Sequence, residues 1–120
     1  MPNHVSLNPE GFTELIFEGP QTADSMLQVI QESLQYNNQL SQQGKPIKSL
    51  LDATKMTSLD PGAAKQAIGG ASTISFDKSA IFGANVEIRE KLIQILSLSG
   101  KNALVQLFDT RDEAVIWLQQ

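Results

Sequence analysis

His4 is the only histidine in the chain. A general base or a metal ligand works with partners, and none stands beside His4 in sequence. Any Ser-His-Asp triad would have to use it, and no Gly-x-Ser-x-Gly elbow is present to present a nucleophile. Cysteine is absent, which excludes disulfides, thiolate metal sites and cysteine nucleophiles. Asp52 and Asp109 close two short apolar runs, at the strand ends where open α/β sheets bind ligands. With Asp60 they would form a three-carboxylate set able to hold a hard cation. However, Asp60 precedes a proline as a helix cap does, and Asp109 abuts the start of the last helix, so structural roles are favoured. Gly83-Ala84-Asn85 stands between a strand and a helix, where anions bind. It lacks the lysine and further glycines of a phosphate loop, and Glu87 adds negative charge to the first turn. No catalytic residue, metal site or cofactor is therefore expected.

The elements that would position these residues are well punctuated. Residues 4–7 alternate, Asn8-Pro9-Glu10-Gly11 suits a type I turn, and residues 12–18 resume a strand with Leu15 and Phe17 on one face. These two pieces read as a hairpin, which Gly19-Pro20 is expected to end. Thr22 is a candidate cap for a helix to about residue 42, with Met26, Leu27, Ile30, Leu34 and Leu40 facing inward. Residues 47–51 read as a buried strand ending at Asp52, followed by a loop. Asp60-Pro61 starts an alanine-rich helix to about residue 71. Residues 78–83 form another strand, and Asn85 caps a helix to about residue 99. Residues 103–108 are the last strand, and Thr110-Arg111-Asp112-Glu113 is a capping box for the final helix. The order β-β-α-β-α-β-α-β-α predicts an α/β fold: a mixed, mostly parallel sheet of about five strands flanked by four helices, with right-handed crossovers.

The chain has 120 residues, the size of one domain, so residues 1–120 are read as a single unit. Hydrophobic residues make up 41% and charged residues 18%, which fits a globular chain and argues against disorder. The formal net charge is −4, and residues 1–44 hold five acids with no Lys or Arg. With no basic stripe to neutralise phosphates, nucleic acid and anionic membrane surfaces are poor partners. No apolar run is long enough to span a bilayer, and the first residues lack the pattern of a signal peptide, so a cytoplasmic protein is expected.

The stretch 86–98 carries more apolar residues than one helix face needs. Ile88, Leu92, Ile95 and Leu96 share a face, while Val86, Ile93 and Leu98 lie off it. Three uses are open for the surplus: deeper burial, a homodimer contact, or one wall of a pocket for a lipophilic ligand.

The segment Leu51-Asp52-Ala53-Thr54-Lys55-Met56-Thr57-Ser58-Leu59-Asp60-Pro61-Gly62 resembles the signature of STAS domains, the fold of bacterial anti-sigma-factor antagonists and of the cytoplasmic domains of sulfate transporters. Asp52 matches the strand-end Asp, and Asp60 matches the Asp of the turn that opens the helix. Ser79-Ala80-Ile81-Phe82-Gly83 and the stretch from Val105-Gln106-Leu107-Phe108-Asp109 to Trp117-Leu118 resemble small STAS-like bacterial proteins of the stage II sporulation AA type, related in fold to CRAL-TRIO lipid-binding domains. In the switchable antagonists a serine of the turn is phosphorylated. Pro61 and Gly62 stand at those positions here, with Thr57 and Ser58 just upstream, so the resemblance implies a scaffold without the phosphoserine switch.

Two functional expectations follow. The first is a non-enzymatic regulatory module that binds a protein partner through Thr54, Thr57, Ser58, Asp60, Pro61, Gly62 and Ala63, whose small residues would let another chain approach. The alternative is a binder of a small apolar ligand held between the sheet and the helix over 86–98. Val86, Ile93 and Leu98 are the expected dimer or ligand surface.

Overall fold

Residues 3–101 and 103–120 are described by the structure, a computed structural model. Strand β1 (His4–Leu7) runs antiparallel to β2 (Thr13–Gln21), with His4 opposite Ile16 and Leu7 opposite Thr13. The turn between them is held by Asn8, whose Oδ1 accepts from the amides of Glu10 and Phe12, both at 3.0 Å. Strands β3 (Lys48–Leu59), β4 (Lys78–Phe82) and β5 (Val105–Phe108) then add in sequence, each parallel to the one before. The sheet order is β1-β2-β3-β4-β5. The fold is thus the mixed five-stranded α/β sheet with four helices that the sequence predicts.

Four helices fill the connections and the end of the chain: α1 (Ala23–Gln42), α2 (Pro61–Thr73), α3 (Val86–Ser99) and α4 (Arg111–Gln119). Each starts where a side chain accepts from a free amide of the first turn. Thr22 accepts from Ser25 N, Asp60 from Ala63 N, Asn85 from Ile88 N, and Thr110 from Glu113 N. All four caps agree with the sequence reading.

The three crossover helices α1, α2 and α3 pack on one face of the sheet. Leu15, Phe17, Ala53, Ile81, Met26 and Ile95 belong to that core. Helix α4 covers the opposite face, where Ala114 and Leu118 meet Phe12, Leu50, Ala80 and Phe82. Strand alternation divides the side chains cleanly: Ala80 and Phe82 point to α4, Ile81 to the three-helix side.

Two strands run further than expected. Gly19-Pro20 does not end β2, which continues to Gln21. Its pairing with β1 stops at Ile16, so Pro20, which has no amide hydrogen, lies where no β1 ladder bond is required. Gly19 adopts φ 75° beside a register shift, the geometry of a bulge. Gln21 anchors the extension. Its Nε2 donates to Asn3 Oδ1 at 3.2 Å, and its Oε1 accepts from Ser25 Oγ at 3.0 Å. Opposite it, β3 does not end at Asp52; it pairs with β2 as far as Leu59, through two register shifts.

Helix α1 is rotated from its expected face. Leu27 and Leu34 are exposed, and Met26, Val29, Ser33, Asn37 and Leu40 are buried instead. The buried set still follows helical spacing, but two of its members are polar.

Candidate functional site

Between the sheet and helices α1, α2 and α3 lies a cavity of about 160 Å³. Its floor is the helix-facing side of β2, β3 and β4, with Leu15, Leu51 and Ile81 in one cross-strand row. Met26, Val29 and Ile30 of α1 form one wall, Ala67 and Ala71 of α2 the roof, and Leu92, Ile95 and Leu96 of α3 the far side. The alanines of α2 keep the helix close to the sheet while leaving room beneath it. Among the described residues no charged one lines the space. Its polar members are Ser33, Asn37, Ser49 and Ser79. Ser33 is satisfied within α1, donating to Val29 O at 2.8 Å. Interiors ordinarily hold few voids larger than a water molecule, so a cavity of this size is a distinct feature of the fold.

The sequence reading set an apolar ligand between the sheet and the helix over 86–98. The helix over 86–98 does wall the cavity, through Leu92, Ile95 and Leu96. Val86, Ile93 and Leu98 do not line it; they are 75%, 50% and 72% exposed, on the outer side of α3. Helices α1 and α2 contribute as much of the wall as α3 does. The inward residues of α1 were legible in part: Met26, Val29, Ser33, Asn37 and Leu40 recur at steps of three, four, four and three. The polar pair Ser33 and Asn37 masked that stripe, because an apolar-only reading shifts the face to Leu27 and Leu34.

The expected partner loop is mostly strand. Thr54, Thr57 and Ser58 lie in β3, are exposed, and belong to a segment paired with β2 alone, since β4 leaves β3 at Asp52. Inward-facing Leu51, Ala53, Met56 and Leu59 are spaced two, three and three apart, because the register shifts break the period of two. That is why alternation did not reveal a strand here. Asp60 and Pro61 are exposed at the start of α2. Gly62 is half-buried and Ala63 lies beneath the surface. A Cβ at Gly62 would stand 3.2 Å from Ala23 Cβ, so its small size lets the starts of α1 and α2 approach each other. Ala63 is fully buried.

The remaining candidates have local partners. Asp52 Oδ1 accepts from the amide and hydroxyl of Thr54. Asp60 caps α2 with a 2.7 Å bond to Ala63 N. Asp109 pairs with Arg89 at 3.0 Å. Among the described residues no group of three or more His, Asp or Glu side chains is placed to hold a metal ion. His4 is exposed on β1. Asn85 Oδ1 is engaged by the amide of Ile88 at 2.9 Å, and Gly83, at φ 79°, packs against Thr54.

The fold matches that of known proteins. The model of the SpoIIAA-like family matches residues 13–119. The chain belongs to the SpoIIAA-like family. A solved structure similar to it is that of a DUF3478-family protein with a SpoIIAA-like fold from Shewanella loihica PV-4, at a TM-score of 0.65 and 16% identity, covering 98% of this chain and 92% of that one. At that identity the likeness speaks to the fold. No match is found among curated proteins. The sequence resemblance to STAS-like proteins of the sporulation AA type therefore holds. In this SpoIIAA-like domain no helix of the described residues is long and apolar enough to cross a membrane.

Proposed function

We propose that this SpoIIAA-like domain is a non-enzymatic module that holds a small apolar molecule between the sheet and helices α1 to α3. The observation that supports this reading is the uncharged cavity of about 160 Å³. A guest seated there takes the apolar walls out of contact with water, worth about 25 cal/mol per Å² of apolar surface covered. The test is a titration with toluene followed by amide NMR. Shifts concentrated at Leu51, Ile81 and Leu92 are expected. Shifts absent, or confined to the outer surface of α3, would overturn the reading.

A second reading, protein docking in a regulatory role, is supported by the exposed overhang of β3. Thr54, Lys55, Thr57 and Ser58 project from a strand segment that β4 does not cover, and Asp60 and Pro61 extend the same surface. With Pro61 and Gly62 at the turn, such docking would operate without a phosphoserine switch. The chain has no cysteine, so Thr57→Cys and a control, Gln35→Cys, each take a single photo-crosslinker. A discrete cross-linked protein at position 57 and not at 35 is the expected result in lysate of the source cell. Equal labelling from both positions would dismiss a docking surface. Stoichiometric phosphate on Thr57 or Ser58, read by intact mass, would restore the switch.

A further inference from the structure

We infer that the cavity carries a hydrogen-bonding subsite made by Asn37, Ser49 and Ser79, which selects a neutral, ring-sized guest bearing one hydroxyl or carbonyl group. This rests on the cavity reading above and names the ligand class of the same site.

The sheet register builds the subsite. Thr13 stands opposite Ser49, and Ser49 opposite Ser79, so three hydroxyl residues form one row across β2, β3 and β4 at the amino ends of the strands. Two residues further on, the corresponding row is Leu15, Leu51 and Ile81. Both rows face α1 to α3, because side chains two apart share a face. The floor of the cavity thus changes from polar to apolar in a single step.

Asn37 of α1 closes over the polar row. Its Oδ1 accepts from Thr13 Oγ1 at 3.3 Å. Among the described residues its Nδ2 amino group makes no hydrogen bond, and neither do the hydroxyls of Ser49 and Ser79. Asn37 is 6% exposed and Ser79 8%, so both residues are largely enclosed by the fold. These groups line the cavity, where a guest's polar atom can take the place of water as their partner.

The chemistry of the guest follows from the donors. Nδ2 can only donate, so the guest presents an acceptor oxygen; a serine hydroxyl can serve either role. Among the described residues no charged side chain lines the space, so a carboxylate or ammonium would enter unpaired. The volume bounds the body: a cavity of about 150 Å³ elsewhere accommodates benzene. A phenol fits both limits, with its ring on the leucine row and its oxygen at Asn37.

Phenol and toluene differ by one polar group at nearly equal size, so their affinity ratio reads the subsite. Both are titrated calorimetrically into the wild-type chain, Asn37→Leu and Ser79→Ala. Wild type is expected to bind phenol at least as tightly as toluene. Asn37→Leu is expected to shift the ratio about tenfold toward toluene, the scale of one hydrogen bond. Ser79→Ala removes a single oxygen and is expected to shift it the same way; it decides the matter if Asn37→Leu fails to fold. Toluene binding with a ratio that neither variant moves would overturn the subsite and leave the cavity reading standing. Failure of both probes to bind wild type would overturn the two together.

Discussion

At the scale of single residues the helix starts are the most readable part of this chain. Thr22, Asp60, Asn85 and Thr110 each serve the amide three positions on, so the information lies within four consecutive residues. Asp60→Ala should cost about 1 kcal/mol in urea unfolding, because its 2.7 Å bond to Ala63 N is lost. Gly62 depends on a distant residue instead. Its smallness serves a contact with Ala23 about forty positions away, which no local pattern announces. Gly83 shows the same dependence. Its φ of 79° favours glycine, and a Cβ there would stand 2.9 Å from Thr54 Cγ2. Gly83→Ala should therefore destabilise by more than about 1 kcal/mol, again measured by urea unfolding. A change smaller than the error of that measurement would mean that the turn relaxes.

At the scale of elements, order and type were legible and lengths were not. Caps and breakers mark where helices begin. The extensions of β2 and β3 depend on each other, since residues 18–21 and 55–59 are strand only because they pair. Helix α4 is also finished by distant groups. Lys48 Nζ donates to Leu118 O at 2.6 Å, and Lys78 Nζ to Trp117 O at 3.0 Å and Gln120 O at 3.1 Å. Lysines at a helix carboxyl end satisfy its free carbonyls and favour its dipole. Lys78 also sits 4.7 Å from the Trp117 ring centre. Lys78→Met should cost about 1 kcal/mol and loosen α4 first, read as faster amide exchange in residues 111–119 than elsewhere. For α3, Ile93 is half exposed, so a glutamate there reaches water. Ile93→Glu should leave stability within about 0.5 kcal/mol and leave toluene binding unchanged, while weakening any self-association seen by sedimentation. Lost toluene binding in that variant would contradict the outward placement of Ile93.

At the scale of the whole molecule, Asp52 and Asp109 stand at the carboxyl ends of their strands, and the cavity lies elsewhere, between the sheet and helices α1 to α3. Both carboxylates are spent on neighbours, Thr54 and Arg89. The cavity arises from what three layers fail to fill: leucine and serine rows on the sheet, a polar pair on α1, and alanines on α2. No single element contains it: the sequence suggested the α3 side through the apolar surplus of residues 86–98, but not the walls from α1 and α2. A functional void and a merely imperfect core differ in how they respond to being filled. Ala67 lines the cavity from α2. Ala67→Leu adds three carbons to that space, and filling a void commonly raises stability by about 0.5–2 kcal/mol. The expected result is a chain that unfolds at higher urea and no longer binds toluene. In wild type, toluene at a hundred times its dissociation constant should add about 2.7 kcal/mol to the unfolding free energy, and in Ala67→Leu it should add nothing. If Ala67→Leu gains stability and still responds fully to toluene, the probe sits outside the cavity, and the site between the sheet and its three helices is only a packing defect.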